Sequence, residues 1–162
     1  MYLVGPKIEI GEGWEGVGTG VRVWRSVVRP GDTVVDATAG NGKDTAFMAS
    51  LALGAHGEGL VVAVDVQQAA IDSTRQHLER NLDETCLRSV RYHCLCHSNL
   101  DALLPDASAA LVAFNLGYLP GGAKELTTTA TSTLAAVEAS CRLLKPGGLI
   151  SLVVYVGHPG AR

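Results

Sequence analysis

The sequence predicts an α/β domain with a doubly wound, mainly parallel sheet of the Rossmann-like kind. From residue 33 onward, short β-branched runs alternate with stretches of helical length, which is the order of elements in βαβ units. The runs are apolar almost throughout, as over residues 60–64, and this is typical of parallel strands that helices cover on both faces. The length of 162 residues, with 47% hydrophobic and 18% charged residues, fits one globular domain.

The predicted elements begin after an irregular start. Six glycines in the first 20 residues oppose regular structure, so we expect a glycine-rich lead-in over residues 1–20 and the folded domain over residues 21–162. A short helix is predicted over residues 21–29. Strands are predicted near residues 33–36, 60–65, 90–96, 109–115 and 149–156, and longer helices near residues 43–53, 67–82 and 131–144. The last helix is expected to pack on the sheet through an apolar face formed by Leu134, Val137, Cys141 and Leu144.

Composition narrows the classes of function. The formal net charge of −3 does not indicate a general nucleic-acid binder, so any contact with RNA must be local. No apolar run approaches the roughly 20 residues that cross a bilayer. We therefore expect a soluble intracellular protein with no membrane partner, in the cytoplasm of a bacterium or in a plastid or mitochondrion of a eukaryote.

The four cysteines form no CxxC pair, and we expect buried free thiols. Cys94, Cys96 and His97 could supply metal ligands. Strand alternation, however, places the two thiols on one face and the imidazole on the other, and no fourth ligand is evident. We predict no metal site.

The residues that follow the first predicted strand form a candidate ligand turn. Small residues and two glycines allow a tight turn and a close approach of the backbone to a ligand, just before a helix N-terminus. The residues assigned here to cofactor binding are Asp36, Thr38, Gly40, Asn41, Gly42, Asp44 and Thr45. The turn alone does not identify the ligand.

Asp65 ends the second predicted strand about 20 residues after the turn, where a carboxylate can accept hydrogen bonds from ribose hydroxyls. Val66 and Gln67 extend this part of the cofactor site. A nicotinamide enzyme would share both features but would favour a third glycine where Thr45 stands, so an adenosyl ligand is preferred. The structural alternative is a plain strand-to-helix turn with Asp65 as a helix cap.

Polar side chains also follow the later strands. His97 and Ser98 are predicted to meet an adenine amino group, although a lone histidine is more often structural. Asn115 and Leu116, at the end of the fourth strand, are assigned to cofactor binding, and the Asn115 amide oxygen could also act in catalysis by orienting an amine nucleophile. Tyr118 is assigned to substrate stacking and catalysis, with anchoring of its loop as the alternative. Further candidates are His158, as a base or phosphate ligand, and Tyr155 and Lys124 at the substrate.

The best local candidate for RNA binding is a basic face of the first helix. Arg22, Arg25 and Arg29 recur at spacings of three and four, with Trp24 beside them. Arginine can pair with phosphate while an aromatic ring stacks on a base. A solvated helix face is the alternative.

Three motifs together resemble a known family. They are residues 30–45 (PGDTVVDATAGNGKDT), 114–122 (FNLGYLPGG) and 155–160 (YVGHPG). They resemble the rRNA methylase family typified by the MnmM (YtqB)-type tRNA methyltransferases. The resemblance implies a class I methyltransferase fold and S-adenosylmethionine as cofactor, with S-adenosylhomocysteine as product. It also implies methylation of the exocyclic amine of 5-aminomethyl-2-thiouridine at the wobble position of tRNA, so that the anticodon region is the partner. By the same likeness, residues 36–45 and Asp65 hold cofactor, while Asn115, Tyr118 and residues 155–158 border the substrate.

Two departures from the family pattern set further expectations. Ala123 stands where the family has an acidic residue, and the chain stops at Arg162, so we expect a fragment or short isoform that lacks the C-terminal β-hairpin. The last strand would then expose an edge rich in Leu152, Val153 and Val154, which predicts a homodimer or poor solubility. Alternative functions are an rRNA, small-molecule or protein N-methyltransferase, or a non-catalytic cofactor-binding fragment.

Overall fold

The computed structural model describes residues 7–12, 23–116 and 130–154. Six strands form one sheet: β1 (Lys7–Glu12), β2 (Thr33–Asp36), β3 (Leu60–Asp65), β4 (Val90–Cys94), β5 (Ala109–Leu116) and β6 (Leu144–Val154). Their order across the sheet is β1-β6-β5-β2-β3-β4, and every neighbouring pair is parallel. The chain therefore winds outward in two directions from β2, as the predicted doubly wound fold requires.

Helices cover both faces of this sheet. Residues 23–27 form a short helix, α1. The others are α2 (Lys43–Ala52), α3 (Gln68–Asn81), α4 (Glu84–Leu87), a 3₁₀ segment over His97–Ala102, and α5 (Ala130–Leu143). Successive strand residues alternate between two cores: Val34 lies in the core beneath α1 and α2, and Val35 lies in the core beneath α5. Burial on both faces explains why the strands are apolar throughout.

The predicted strands and helices from residue 33 onward are confirmed in type, and most boundaries agree within two residues. The last strand is the exception, because it begins at Leu144 directly after α5. The segments α4 and His97–Ala102 were not predicted. None of the helices in the described part of the chain is long and apolar enough to span a bilayer.

The expectation of an irregular lead-in is wrong for residues 7–12, which form β1. This strand pairs along β6, with Ile10 opposite Leu152 and Gly11 opposite Val153. Pairing in the sheet supplies backbone partners that outweigh the low strand propensity of a glycine-rich segment. The edge that was expected to be unpaired is therefore covered, and the dimerisation inferred from it loses its basis.

The predicted packing face of the last helix is right for Val137 and Leu144, which pack in the core, and wrong for Leu134 and Cys141. Leu134 is 64% exposed and Cys141 is exposed, whereas the buried side chains of α5 are Ala136, Ala139, Ser140 and Leu143. Small side chains let the helix axis approach the sheet closely, and only Leu143 adds bulk. Of the four free thiols only Cys86 is buried, so the expectation of buried thiols holds for that residue alone.

Candidate active site

The carboxyl ends of β2, β3 and β5 meet at one edge of the sheet, and the turn after β2 bridges its two neighbours there. The Ala37 N–H donates to the Ala113 carbonyl of β5 at 2.8 Å, and the Ala39 N–H donates to the Val64 carbonyl of β3 at 2.9 Å. Because the strand order reverses at β2, this edge is the place where open α/β sheets bind ligands. The predicted ligand turn thus lies at the predicted position.

Glycine is required at two positions of this turn by its backbone conformation. Gly40 has φ of 54° and Gly42 has φ of 82°, both in the left-handed region, and Gly42 directly precedes α2. A Cβ atom on Gly42 would lie 2.9 Å from the Thr74 Cα atom of α3. The tight turn therefore depends on close contact with α3.

Thr74 is a further residue that holds this turn, and no motif in the sequence indicated it. Its side chain is buried, and Oγ1 lies 3.3 Å from the Ala39 carbonyl oxygen and 3.2 Å from that of Gly40. The hydroxyl can donate to either carbonyl, and the Ala39 carbonyl also accepts from the Gly42 N–H at 2.9 Å. Thr74 lies 34 residues from Gly40 in the chain, so only the folded structure brings the two together.

Asp65 ties the end of β3 to the turn and to α3. Its Oδ2 accepts from the Gly40 N–H at 3.0 Å, and its Oδ1 accepts from the Gln67 N–H at 2.9 Å. The second bond goes to the residue that precedes α3, and no side chain caps the first turn of that helix, so the alternative of Asp65 as a helix cap is not supported. Each carboxylate oxygen has further acceptor capacity, so Asp65 can keep both backbone bonds and accept from a ligand at the same time.

Asp36 is buried beneath the turn and organises it from below. The Thr45 hydroxyl donates to its Oδ2 at 2.5 Å, and the Thr38 N–H donates to its Oδ1 at 3.2 Å. Burial raises the pKa of Asp36 to about 7, against the lowering effect of these hydrogen bonds, and the nearby charges of Asp44 and Asp65 raise it further. Asp36 and Thr45 thus support the turn from the interior.

The stability of the protein is expected to fall as the pH rises from 5 to 8, because of Asp36. The folded state holds its proton up to about pH 7, whereas the ordinary carboxyl pKa is 3.8, so the folded state binds more protons between these values. The contribution to the free energy of unfolding is about 3 kcal/mol at pH 5 and is lost by pH 8. Asp36→Asn should flatten this dependence in urea unfolding, and parallel curves for the two proteins would contradict the assignment. Asp106→Asn, at an exposed turn, is the control.

Asn115 lies at the end of β5, against the turn. Its backbone N–H donates to Thr38 Oγ1 at 2.7 Å, and its side-chain Nδ2 donates to Asp44 Oδ2 at 3.1 Å. Asp44 belongs to the first turn of α2. The structure therefore unites Thr38, Asp44 and Asn115, which the sequence assigned to one site, and adds the side-chain contact between the last two.

The remaining candidates at this edge differ in accessibility. Val66 is 44% exposed beside Asp65, and Ser98 and Leu116 are half-buried. His97 is buried and packs edge-on to Phe114 with ring centroids 5.8 Å apart, and burial lowers its pKa. The adenine contact of His97 and Ser98 stays a prediction. Within the described ranges, no group of three or more His, Cys, Asp or Glu side chains could hold a metal ion.

The predicted basic face is only partly available. Trp24 is buried against Phe47 with ring centroids 6.0 Å apart, so stacking of this indole on a base is not supported. The Arg29 guanidinium donates to the carbonyls of Arg25, Ser26 and Val28 at the end of α1. Arg25 is exposed and lies over the Phe47 ring, with its Cζ atom 5.2 Å from the ring centroid. Of the described arginines of this face, Arg29 is thus bonded to the end of α1. Arg25 is the one whose exposed guanidinium takes no part in that cap.

Several predicted substrate residues lie outside the described residues. These are Arg22, Tyr118, Lys124, Tyr155 and His158.

Comparison with known proteins identifies a family. Residues 61–162 match the family described as "Putative rRNA methylase". A chloroplastic tRNA (mnm(5)s(2)U34)-methyltransferase of Arabidopsis thaliana is 48% identical over 145 residues, which cover 86% of this chain and 52% of the relative. A second curated relative is covered to 48%, so the chain spans about half the length of these relatives.

Solved structures share the fold. A "putative rRNA-methylase" from Clostridium thermocellum has a TM-score of 0.80 and 36% identity, with 90% of this chain and 75% of that chain covered. A "putative methyltransferase" from Streptococcus mutans, solved in complex with SAH, has a TM-score of 0.69 and 29% identity, with 83% and 70% covered.

Proposed function

This chain belongs to the rRNA methylase family of class I methyltransferases, and we propose that it N-methylates tRNA with S-adenosylmethionine as methyl donor. The substrate is the aminomethyl group of 5-aminomethyl-2-thiouridine at the wobble position, and the product is 5-methylaminomethyl-2-thiouridine. The observation that carries this proposal is the Asn115 carboxamide, held beside the glycine turn at the carboxyl edge of the sheet. The name of the Arabidopsis relative supports the same nucleoside.

The residues at this edge fit the proposed cofactor. Gly40 has no Cβ atom, so the backbone of the turn can approach a ligand closely at this residue. The Asp65 carboxylate lies at the end of β3, with acceptor capacity left for ribose hydroxyls. Exposed Val66 offers apolar surface beside it. The SAH bound to the Streptococcus mutans neighbour supports this assignment.

When bound, S-adenosylmethionine supplies an electrophilic methyl group, and its transfer to an amine leaves S-adenosylhomocysteine and releases one proton from the amine. The chain's own contribution is positioning, because Asn115 is anchored to Thr38 through its backbone and to Asp44 through its side chain. The Asn115 carboxamide oxygen can accept a hydrogen bond from an amine N–H and direct the nitrogen lone pair toward the methyl carbon. The rate of a displacement at carbon depends strongly on such alignment.

The decisive experiment uses tRNA that carries the 5-aminomethyl group but lacks the methyl. The protein is incubated with this tRNA and labelled S-adenosylmethionine, and the methylated nucleoside is identified by mass spectrometry. Label in 5-methylaminomethyl-2-thiouridine supports the proposal. Label in rRNA, in a protein or in a small molecule would mean that this molecule, and not tRNA, is the substrate. Cofactor binding without methyl transfer to any of them would favour a non-catalytic fragment. tRNA without the aminomethyl group is the control.

Arg25 is expected to contribute to tRNA binding. Arg25→Glu replaces an exposed cation with an anion, and we expect about 5-fold weaker binding of tRNA. The slope of log affinity against log salt concentration should fall by about one, the value for one phosphate contact. Arg88→Glu is the matched control, because Arg88 is also exposed but lies on the turn that precedes β4, at the opposite edge of the sheet. Binding is measured at several salt concentrations. Unchanged affinity of Arg25→Glu at every concentration would remove this surface from the RNA interface.

The name of the same relative also supports a proposal for the compartment. The Arabidopsis relative is named as chloroplastic, which supports an organellar location, in a plastid, for this chain. The anticodon region of tRNA is the proposed contact, since the nucleoside in the relative's name is U34.

A further inference from the structure

We propose that Asp44 is a positioning residue that fixes which end of the Asn115 carboxamide faces the substrate amine. This inference rests on the proposed function, because it gives the Asn115 oxygen an amine to accept from. The sequence assigned Asp44 to the cofactor, but the described contact of its side chain is with Asn115. Its role in the reaction is therefore exerted through another residue.

The chemistry of the contact determines the orientation of the amide. An ionised carboxylate can only accept hydrogen bonds, so the atom of Asn115 that lies 3.1 Å from Asp44 Oδ2 must be the Nδ2 donor. The carboxamide oxygen then lies on the other side of the planar group. Without Asp44 the amide could turn over and present its NH₂ group to the amine, where two N–H groups would oppose each other. Asp44 thus determines whether Asn115 offers an acceptor or a donor.

The two partners are held in register by one buried group. Asp36 accepts from the Thr38 N–H, and Thr38 Oγ1 accepts from the Asn115 N–H. Asp36 also accepts from the Thr45 hydroxyl, and Thr45 follows Asp44 directly in the first part of α2. The helix that carries Asp44 is therefore bonded to Asp36 directly, and the strand that carries Asn115 is linked to Asp36 through Thr38. This shared anchor explains how residues 71 positions apart keep a side-chain hydrogen bond at the sheet edge.

Substitutions at residue 44 separate positioning from proton transfer. Asp44→Ala removes the acceptor, whereas Asp44→Asn keeps an acceptor oxygen for Nδ2 but cannot take a proton. We expect Asp44→Ala to lower kcat about 20-fold with cofactor affinity changed less than 3-fold, and Asp44→Asn to recover most of that loss. Because both residues act as one unit, Asp44→Ala combined with Asn115→Ala should be no slower than Asn115→Ala alone. Glu84→Ala is the control, since Glu84 also lies in a first helical turn but at the opposite edge of the sheet.

Three kinetic outcomes would overturn the proposal. Asp44→Asn as slow as Asp44→Ala would mean that the charge or a proton transfer matters. Multiplied effects in the double variant would mean that the two residues act independently. A loss confined to cofactor affinity would mean that Asp44 belongs to the cofactor site, as the sequence predicted.

A second measurement does not depend on the substrate. The two side-chain amide protons of Asn115 are followed in ¹⁵N–¹H spectra of the protein alone, and assigned by their disappearance in Asn115→Ala. Asp44→Ala should shift them, and Asp44→Asn should restore much of the shift. If the wild type transfers no methyl to tRNA but these shifts occur, the proposed function fails while the Asp44–Asn115 pairing stands. Resonances that do not move in Asp44→Ala would overturn the pairing whatever the substrate is.

Discussion

Asp65→Ala is expected to weaken binding of S-adenosylmethionine and S-adenosylhomocysteine by about 100-fold, corresponding to a loss of about 3 kcal/mol. The substitution removes the acceptor of the Gly40 and Gln67 N–H groups, so the turn and the residue that precedes α3 each lose one bond to the end of β3. It also removes the proposed acceptor of the ribose hydroxyls. Isothermal titration with S-adenosylhomocysteine measures the effect without any need for turnover.

Two further variants show whether the loss belongs to the site. Asp65→Asn keeps one acceptor oxygen and should fall between wild type and alanine. Asp72→Ala removes an exposed carboxylate of α3 that accepts only from the Gln68 side chain among its described contacts, and it should leave affinity within about 2-fold. Affinity of Asp65→Ala within 3-fold of wild type would mean that Asp65 serves only to hold the backbone of Gly40 and Gln67.

The central part of the fold could be predicted because its signal is local. Within residues 33–36 and 60–65, consecutive apolar side chains point to both faces of the sheet, and a segment of helical length follows each strand. The type and the order of these elements therefore follow from the sequence. The place of the cofactor turn then follows from the rule that ligands bind at the carboxyl ends of parallel strands.

The errors in the fold arise where tertiary packing outweighs local preference. Residues 7–12 carry a glycine and no long apolar run, and they form a strand because β6 offers an edge to pair with. In α5 the larger side chain of Leu134 was predicted to be buried, yet Ala136 and Ala139 face the sheet. Side-chain size does not reveal how closely a helix approaches a sheet.

Contacts within the site were predicted least well, because they join distant parts of the chain. Asn115 and Asp44 were each identified by their position after a strand or in the turn, but their hydrogen bond spans 71 residues. Thr74 was missed altogether, since a threonine within a helix is common and only the fold places it beneath the turn. Strand ends indicate which residues gather at an edge, and the structure shows which of them touch.

Asn115→Ala is expected to lower the turnover of methyl transfer to tRNA by about 100-fold while cofactor affinity changes less than 3-fold. The reason for this division lies in the two anchors of the residue. The backbone N–H still donates to Thr38 in the alanine variant, so the turn and β5 keep their register. Only the carboxamide is lost, and with it the group proposed to hold the amine nitrogen in line with the methyl carbon.

Single-turnover rates at saturating cofactor are the proper measure, because they exclude product release. Asn99→Ala removes an exposed carboxamide in the 3₁₀ segment after β4, and it should keep the wild-type rate. Addition of small amines to Asn115→Ala should not restore the rate, since the variant lacks an acceptor and not a nucleophile. An unchanged single-turnover rate for Asn115→Ala would show that the amine is aligned by other groups. The residues that select the nucleophile would then have to be other than Asn115 of β5 and Asp44 of α2.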